Sequence, residues 1–433
     1  MTPRFGVAII VCILLVLVGT STSIIIQAQA QSDFGCTDVI DVPIAECEVL
    51  LILYYSTNGS NWLNGTGWGN TNMIADWEGI TVTDGHITTI DLSGYHLSGP
   101  IPPELGTLPH LEYLFLFDNN LSGPIPPELD NLTNLKKLWL DNNELSGPIP
   151  PELGNLFHLE QLILSNNKLI GPIPLELAHL VHLNGLWLSD NELSGPIPPE
   201  LGDLAQLDNL DLSSNALNGF IPPELAHLIH LNGLWLNDNE LSGPIPPELG
   251  NLTGLQMLWL ANNELSDSIP PELANLAYLT ALGLNNNQLN GPIPPELGNL
   301  SRLEQLILSD NKLSGLIPPE LGNLTSLNVL FLDNNEFSGS IPIELGNLVN
   351  LRFLWLHRNQ LGGELPVWLN APEESGNLIW LEPGDLTNPS DRLIPSGLAL
   401  FGNCGLESSD PRQVEFVASF DANWNEKGEH CPN

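Results

Sequence analysis

A 24-residue unit recurs twelve times from Ile87 to Leu369 without an insertion or deletion. Its first apolar residue falls at Ile87 and then at Leu111, Leu135, Leu159, Leu183, Leu207, Leu231, Leu255, Leu279, Leu303, Leu327 and Leu351. One such unit is too small to bury an apolar face alone, so copies must stack and share a continuous core. The expected architecture is therefore a repeat solenoid, with function spread over a repeated surface rather than held in one pocket.

With the unit numbered from its first leucine, positions 1, 4 and 6 are almost always leucine, as in Leu135, Leu138 and Leu140. They alternate with polar or variable residues, the pattern of a short strand with one face inward. Position 9 is asparagine in eleven copies, Asn119 through Asn359, with Tyr95 the exception. A buried asparagine both donates and accepts, so stacked copies can satisfy turn amides that water does not reach. Position 13 is glycine except at Asp267, marking a turn, and position 16 is proline in all twelve copies. Proline at that density rules out a long helix on the return side. Each unit is expected to run strand, turn, then an extended or 3₁₀ return.

The third copy, LKKLWLDNNELSGPIPPELGNLFH at 135–158, matches L-x-x-L-x-L-x-x-N-x-L-S-G-x-I-P almost verbatim. The chain thereby resembles the leucine-rich repeat family, in its plant-type subclass, over about two-thirds of its length. The resemblance implies an α/β-type, right-handed, curved stack of 12 units, with a parallel sheet on the concave face and 3₁₀ or extended returns outside. It also implies ligand recognition, since the family serves as secreted receptor-like ectodomains and as inhibitors of secreted cell-wall-degrading enzymes. Residues 31–86 look like the cap that precedes such repeats. Family caps carry C-x-W-x-G-V-x-C; here Trp77 and Gly79 match, but Ala75 and Val82 replace the cysteines. Packing of Trp62, Trp68 and Trp77 must then hold the cap. This departure and the "YSTNGSNW" stretch look more like bacterial or protist relatives than plant receptors. Residues 87–370 form the repeats and 371–433 a C-terminal cap without repeats, in which Val414 to Phe420 suits a short helix.

Residues 1–30 read as a signal peptide: Arg4, the apolar run Phe5 to Gly19, then Ala28-Gln29-Ala30 as a cleavage site. An uncleaved anchor is the alternative reading, because Ile24-Ile25-Ile26 lengthens the apolar stretch. After cleavage no stable membrane span is expected, which places the protein outside the cell or on its surface. Cys36 and Cys47 at one end, and Cys404 and Cys431 at the other, suggest one disulfide per cap, with free buried thiols as the alternative. Their spacing does not suit zinc.

The chain carries 51 acidic and 11 basic residues, a formal charge of −40. Such a surface repels nucleic acid and anionic lipid, so neither is an expected partner. No motif for a nucleophile, a phosphate loop or H-E-x-x-H is present, and neither an enzyme, a cofactor nor a metal is expected. Eleven glutamates at position 18, Glu104 through Glu344, read as a solvated outer row rather than a calcium site. His179 with His182, and His227 with His230, read as copied surface residues. Sequons at Asn58, Asn64, Asn120, Asn131, Asn251, Asn299 and Asn323 matter only in a eukaryotic secretory pathway.

Candidate binding residues lie at position 5. There Phe115, Trp139, Trp187, Trp235, Trp259, Phe331 and Trp355 form a discontinuous aromatic stripe, expected to project from the sheet. Neighbouring strands lie about 4.8 Å apart, and exposed aromatic residues among polar neighbours are what recognition surfaces use. Asp190 and Asp238 at position 8 supply hydrogen-bonding capacity beside them. Basic groups on this face occur only near its ends, at Lys136, Lys137, Arg352 and Arg358. The expected ligand is a protein or peptide, with a glycan or an adhesive role as alternatives. Copying of the repeat would explain the stripe without any ligand, since 177–201 and 225–249 are near-duplicates.

Overall fold

The computed structural model describes residues 34–369, together with the short strands at 398–399 and 406–407. The chain divides into two units, Met1–Glu192 and Leu193–Asn433.

In the first unit, a 3₁₀ turn at Cys36–Asp38 leads into the only α-helix among the described residues, α1 (Ile44–Ser56). Cys36 and Cys47 are disulfide-bonded, tying the two elements together. Asn58, at the left-handed φ of 62°, follows the helix and turns the chain away. Trp62, Trp68 and Trp77 are all buried, with ring centroids 4.8 Å apart for Trp62–Trp68 and 4.9 Å for Trp68–Trp77. Each indole N–H donates to a main-chain carbonyl, of Thr57, Glu78 and Thr71 respectively. The cap is thus packed around an aromatic cluster whose indole N–H groups are all satisfied, beside the Cys36–Cys47 disulfide.

An antiparallel hairpin, Ile80–Thr83 with His86–Asp91, joins this cap to the repeats. The Glu46 carboxylate on α1 is buried and accepts from His86 Nδ1 at 2.6 Å and from the Ile87 N–H at 2.8 Å. Parallel strands at Tyr113–Phe115, Lys137–Trp139, Gln161–Ile163 and Gly185–Trp187 continue the sheet, each paired with the residue 24 positions away. The second unit repeats this ladder through Asn209–Asp211, Gly233–Trp235, Met257–Trp259, Ala281–Gly283, Gln305–Ile307, Val329–Phe331 and Phe353–Trp355. Only positions 3 to 5 are strand, shorter than the leucine alternation suggests.

The core is the stacked leucines. In the third repeat Leu135, Leu138, Leu140, Leu145, Leu153 and Leu156 are fully buried and Ile149 nearly so. Each is worth roughly 1.5–3 kcal/mol of burial. The return is a 3₁₀ turn at positions 17–21, such as Pro151–Asn155, with proline at its first position in most repeats. Gly154 at position 20 admits the next repeat: a Cβ there would meet the Glu176 carbonyl oxygen at 2.3 Å. The position-18 glutamates outside this turn are mostly exposed, in keeping with a solvated row.

Positions 10–13 form a second set of parallel strands not expected from the sequence, exemplified by Glu144–Gly147 paired with Lys168–Gly171. Glu264–Ser266 closes one run of these strands and Asn290–Gly291 opens the next. Asp267, the one non-glycine at position 13, sits between them at φ 65°.

The C-terminal flank adds strands to both sets. Leu398–Ala399 pairs with Leu354–Trp355, and Leu406–Glu407 with Gly363–Glu364. The flank therefore contains repeat-like strands that the sequence reading did not assign to it. Residues 1–30, Cys404, Cys431 and the expected helix from Val414 to Phe420 lie outside the described residues.

Candidate ligand-binding face

Three local rules build the strand face. The leucine at position 4 points into the core, so positions 3 and 5 share the opposite surface. Position 7 follows the strand and is partly buried. Position 8 is left-handed in every repeat, for example Asp118 at φ 55°, Asn142 at 53° and Asp310 at 55°. Asparagine and aspartate tolerate that conformation better than other non-glycine residues, which accounts for their frequency there without invoking a ligand. Asp190 (φ 54°) and Asp238 (φ 57°) both occupy this turn and are exposed. Asp238 also accepts from the Asn237 and Asn262 side-chain amides, 2.7 Å from each.

The position-5 aromatic side chains do not stand free. In the first unit Trp139 packs against Phe115 at 4.7 Å and Phe117 at 5.8 Å between ring centroids. The Lys137 ammonium lies 5.5 Å over its ring, and its indole N–H is buried without a partner. A buried donor left unpaired costs roughly 1–3 kcal/mol. The Trp187 ring packs against Gly185 of its own strand, where a Cβ would come within 2.0 Å of it.

In the second unit the Trp235 ring covers Gly233 in the same way, a Cβ there meeting it at 2.1 Å. Trp259, paired in register with Trp235, leans over Gly283 of the next repeat. Phe331 and Trp355 stack at 4.0 Å with an interplanar angle of 13°, and Phe331 is only 8% exposed. The remaining six aromatic residues are half-buried. In each unit these rings are thus partly buried, packed against glycine backbone or a neighbouring ring. Only Trp187 and Trp235 have glycine at position 3 of their own strand, which leaves room for the indole against the backbone there.

Position 7, which like position 8 is rich in Asp, Asn and Ser (Asp141, Ser189, Asn237), carries a polar row whose internal pairing the sequence does not show. Ser309 Oγ donates to Asp333, whose carboxylate is buried and also accepts from the Asn334 side-chain amide at 3.0 Å. His357 Nε2 lies 3.5 Å from the same carboxylate. Burial holds the Asp333 carboxyl above its ordinary range, against the lowering effect of Ser309 and Arg358. Burial, and then the Asp333 charge, raises Asp310; burial raises Asp141 in the first unit. The exceptional residues Asp333 and His357 in a row otherwise rich in serine and asparagine were the available signal.

Among the described residues no group of three or more His, Cys, Asp or Glu side chains is placed to hold a metal ion. No described helix is long and apolar enough to cross a membrane. His182 stacks with His158 of the preceding repeat, 6.3 Å between centroids.

Comparison with known proteins places this geometry. The Leucine Rich Repeat family model matches twelve segments, 86–108 and 110–132 onward at the 24-residue spacing to 350–371. Protein MALE DISCOVERER 2 of Arabidopsis thaliana is 44% identical over 48 residues, which is 11% of this chain and 7% of that protein. The crystal structure of PEPR1-AtPEP1 is similar at 31% identity and a TM-score of 0.69, over 84% of this chain and 52% of that one. The chain therefore spans about half the length of that receptor chain. The Arabidopsis receptor kinase HAESA, in complex with the peptide hormone IDA and the co-receptor SERK1, is 27% identical at a TM-score of 0.54, over 87% of this chain and 76% of that one. The matched segments cover well over half of the chain at the 24-residue spacing, and the chain belongs to the leucine-rich repeat family.

Proposed function

We propose that this is an extracellular, non-catalytic recognition protein whose strand face binds a peptide or a protein segment. The observation that carries the reading is the set of half-buried aromatic platforms at position 5. They are Phe115, Trp139 and Trp187 in the first unit and Trp235, Trp259, Phe331 and Trp355 in the second. Rings already packed in place lose little side-chain freedom when a ligand covers them, which favours binding. A structural neighbour at 27% identity is a receptor solved with a peptide hormone and a co-receptor, which supports a peptide as the ligand class. The polar turn residues around Asp190 and Asp238 border the rings and suit hydrogen bonds to a peptide backbone.

A second reading is favoured by Trp187 and Trp235, half-buried and packed on Gly185 and Gly233, since an indole held on the sheet can also receive the face of a sugar ring. An adhesive, carbohydrate-binding role follows from it. The test compares the wild-type chain with a Trp187→Ala, Trp235→Ala, Trp259→Ala variant in two assays. One is capture of surface proteins from cells; the other is a glycan array. Loss of protein capture in the variant supports the peptide reading, and loss of array binding supports the second. Unchanged binding in both, with the fold intact, would sink the strand face as the site.

A further inference from the structure

The N-terminal cap contains a cavity of about 550 Å³ that the strand face does not use. Its walls are Tyr54, Tyr55 and Trp68, and its polar rim is Asn58, Ser60 and Asn70. Tyr54 and Tyr55, the last full turn of α1, meet at right angles, with centroids 5.3 Å apart and an interplanar angle of 87°. Tyr54 is also nearly parallel to Trp68, at 5.9 Å and 19°. Tyr54 and Tyr55 thus stand at right angles to each other in the cavity wall.

The lining residues also hold one another in place. Gly59 is buried against the Tyr54 ring, so closely that a Cβ would come within 2.2 Å of it. Asn58, left-handed, has its Oδ1 accepting from the Asn61 side chain at 2.8 Å, which fixes the turn at the rim. The Trp68 indole N–H is committed to the Glu78 carbonyl. Asn70 donates to the Trp68 carbonyl at 3.1 Å, leaving its Oδ1 as an acceptor.

We propose that this cavity is a binding site for a neutral sugar unit, separate from the strand face. Its volume falls in the range of small-molecule sites, which are mostly aromatic or apolar with a few placed polar groups. The lining contains no charged side chain, in a chain with 51 acidic and 11 basic residues. A cationic ligand would find no carboxylate in the wall and an anionic one no ammonium or guanidinium. An apolar ligand would strip water from Asn70 and Ser60 without replacing it, which costs free energy. A pyranose satisfies both halves: its C–H face lies on the electron-rich faces of the rings, and its hydroxyls reach amides and phenols. Leu51 is the one aliphatic side chain in the lining, too little for a purely apolar guest.

The test is saturation-transfer NMR on the full chain with D-glucose, D-galactose and N-acetyl-D-glucosamine, and with glucuronate as a charged control. Protein made without N-glycosylation is used, because Asn58-Gly59-Ser60 is itself a sequon. The expected result is transfer to at least one neutral sugar, none to glucuronate, and at least a tenfold weaker affinity in Tyr55→Ala. Should Tyr55→Ala fail to fold, Asn70→Ala, which removes the acceptor at the exposed rim, replaces it, with the same weakening expected. The triple tryptophan variant of the strand face should bind the sugar as the wild type does. No transfer to any neutral sugar, equal transfer to glucuronate, or transfer that survives the cap variants overturns the proposal. Loss in the strand-face variant overturns it as well, since the sugar would then sit on that face.

Discussion

The side chain of Asn335 accepts the main-chain N–H of Leu313, in the preceding repeat, through Oδ1 at 3.0 Å. Its amide nitrogen donates to three carbonyls: Leu308 of that preceding repeat, and Leu332 and Asp333 of its own. One side chain therefore closes four hydrogen bonds on backbone that turns out of the strand, and it does so while buried. The same set recurs at Asn143, Asn167 and Asn263, among others.

Asn335→Ala would leave an N–H and carbonyls without partners in a site closed to water. The expected cost is roughly 3 kcal/mol, read as a lower denaturation midpoint with faster hydrogen exchange at Leu313. Asn335→Asp keeps the acceptor but removes the donor, so at neutral pH it should cost at least as much. A loss in either variant no greater than that of an exposed asparagine outside the left-handed turn, such as Asn218→Ala, would refute this role.

At position 13 the backbone is left-handed, and glycine fills it everywhere but at Asp267. Asp267→Gly removes the side-chain penalty of that conformation and should stabilise the chain by about 0.5–1 kcal/mol. Gly171→Ala measures the same strain in reverse, because a Cβ there meets nothing within 4 Å. It should destabilise by about 1 kcal/mol. Gly154→Ala differs in cause, since its Cβ would strike the Glu176 carbonyl, and it should cost more than Gly171→Ala. Equal stability of all three variants with the wild type, in guanidinium titrations, would contradict the backbone argument.

Much of the stack is legible in the sequence because each rule is local. Leucine at positions 1, 4 and 6 and asparagine at position 9 do one job in every copy, so repetition exposes the job. What escaped depends on pairs of positions. What a position-5 tryptophan packs against depends on position 3 of its own strand, as at Gly185, or on position 5 of the next, as at Gly283. The aspartates at position 8 read as binding groups because a left-handed turn and a hydrogen-bonding surface favour the same residue type. The C-terminal strand escaped for another reason: Leu398 pairs with Leu354 but lies 44 residues on (398 − 354) rather than 24. Terminal repeats are atypical because they face only one neighbour.

Asp333 carries a pH signature whose sign follows from its burial. Its folded pKa is raised above the unfolded value, so the folded state binds the proton more tightly in the interval between the two. In that interval stability falls as pH rises, and the loss is complete above the folded pKa. Acidification from neutrality toward the ordinary carboxylate range should therefore stabilise the second unit. Asp333→Asn removes the titration while keeping the acceptor for Ser309, so its unfolding free energy should vary less with pH than that of the wild type. Asp310, His357 and Arg358 remain in both proteins, and the loss of the Asp333 charge also relieves Asp310, which flattens the profile in the same direction. A variant whose pH profile parallels the wild type would show that Asp333 does not carry the effect.

Gly233 sets the posture of Trp235, and that posture separates a built platform from a ring that merely covers the sheet. A Cβ at 233 would lie 2.1 Å from the indole, so Gly233→Ala must lift the ring off the strand. Leu234 between them stays buried in the core, and φ at 233 needs no positive value, so the fold should survive. The lifted indole gains solvent on its inner face, expected as a red shift in fluorescence relative to the wild type. If the ring packed on Gly233 is the binding surface, ligand affinity should fall by at least tenfold, nearly as far as in Trp235→Ala, although the tryptophan is still present. A red shift with undiminished affinity would mean that the ligand reads the tryptophan by its presence and not by its posture. Undiminished affinity in Trp235→Ala as well would leave the ring with only its role of covering Gly233.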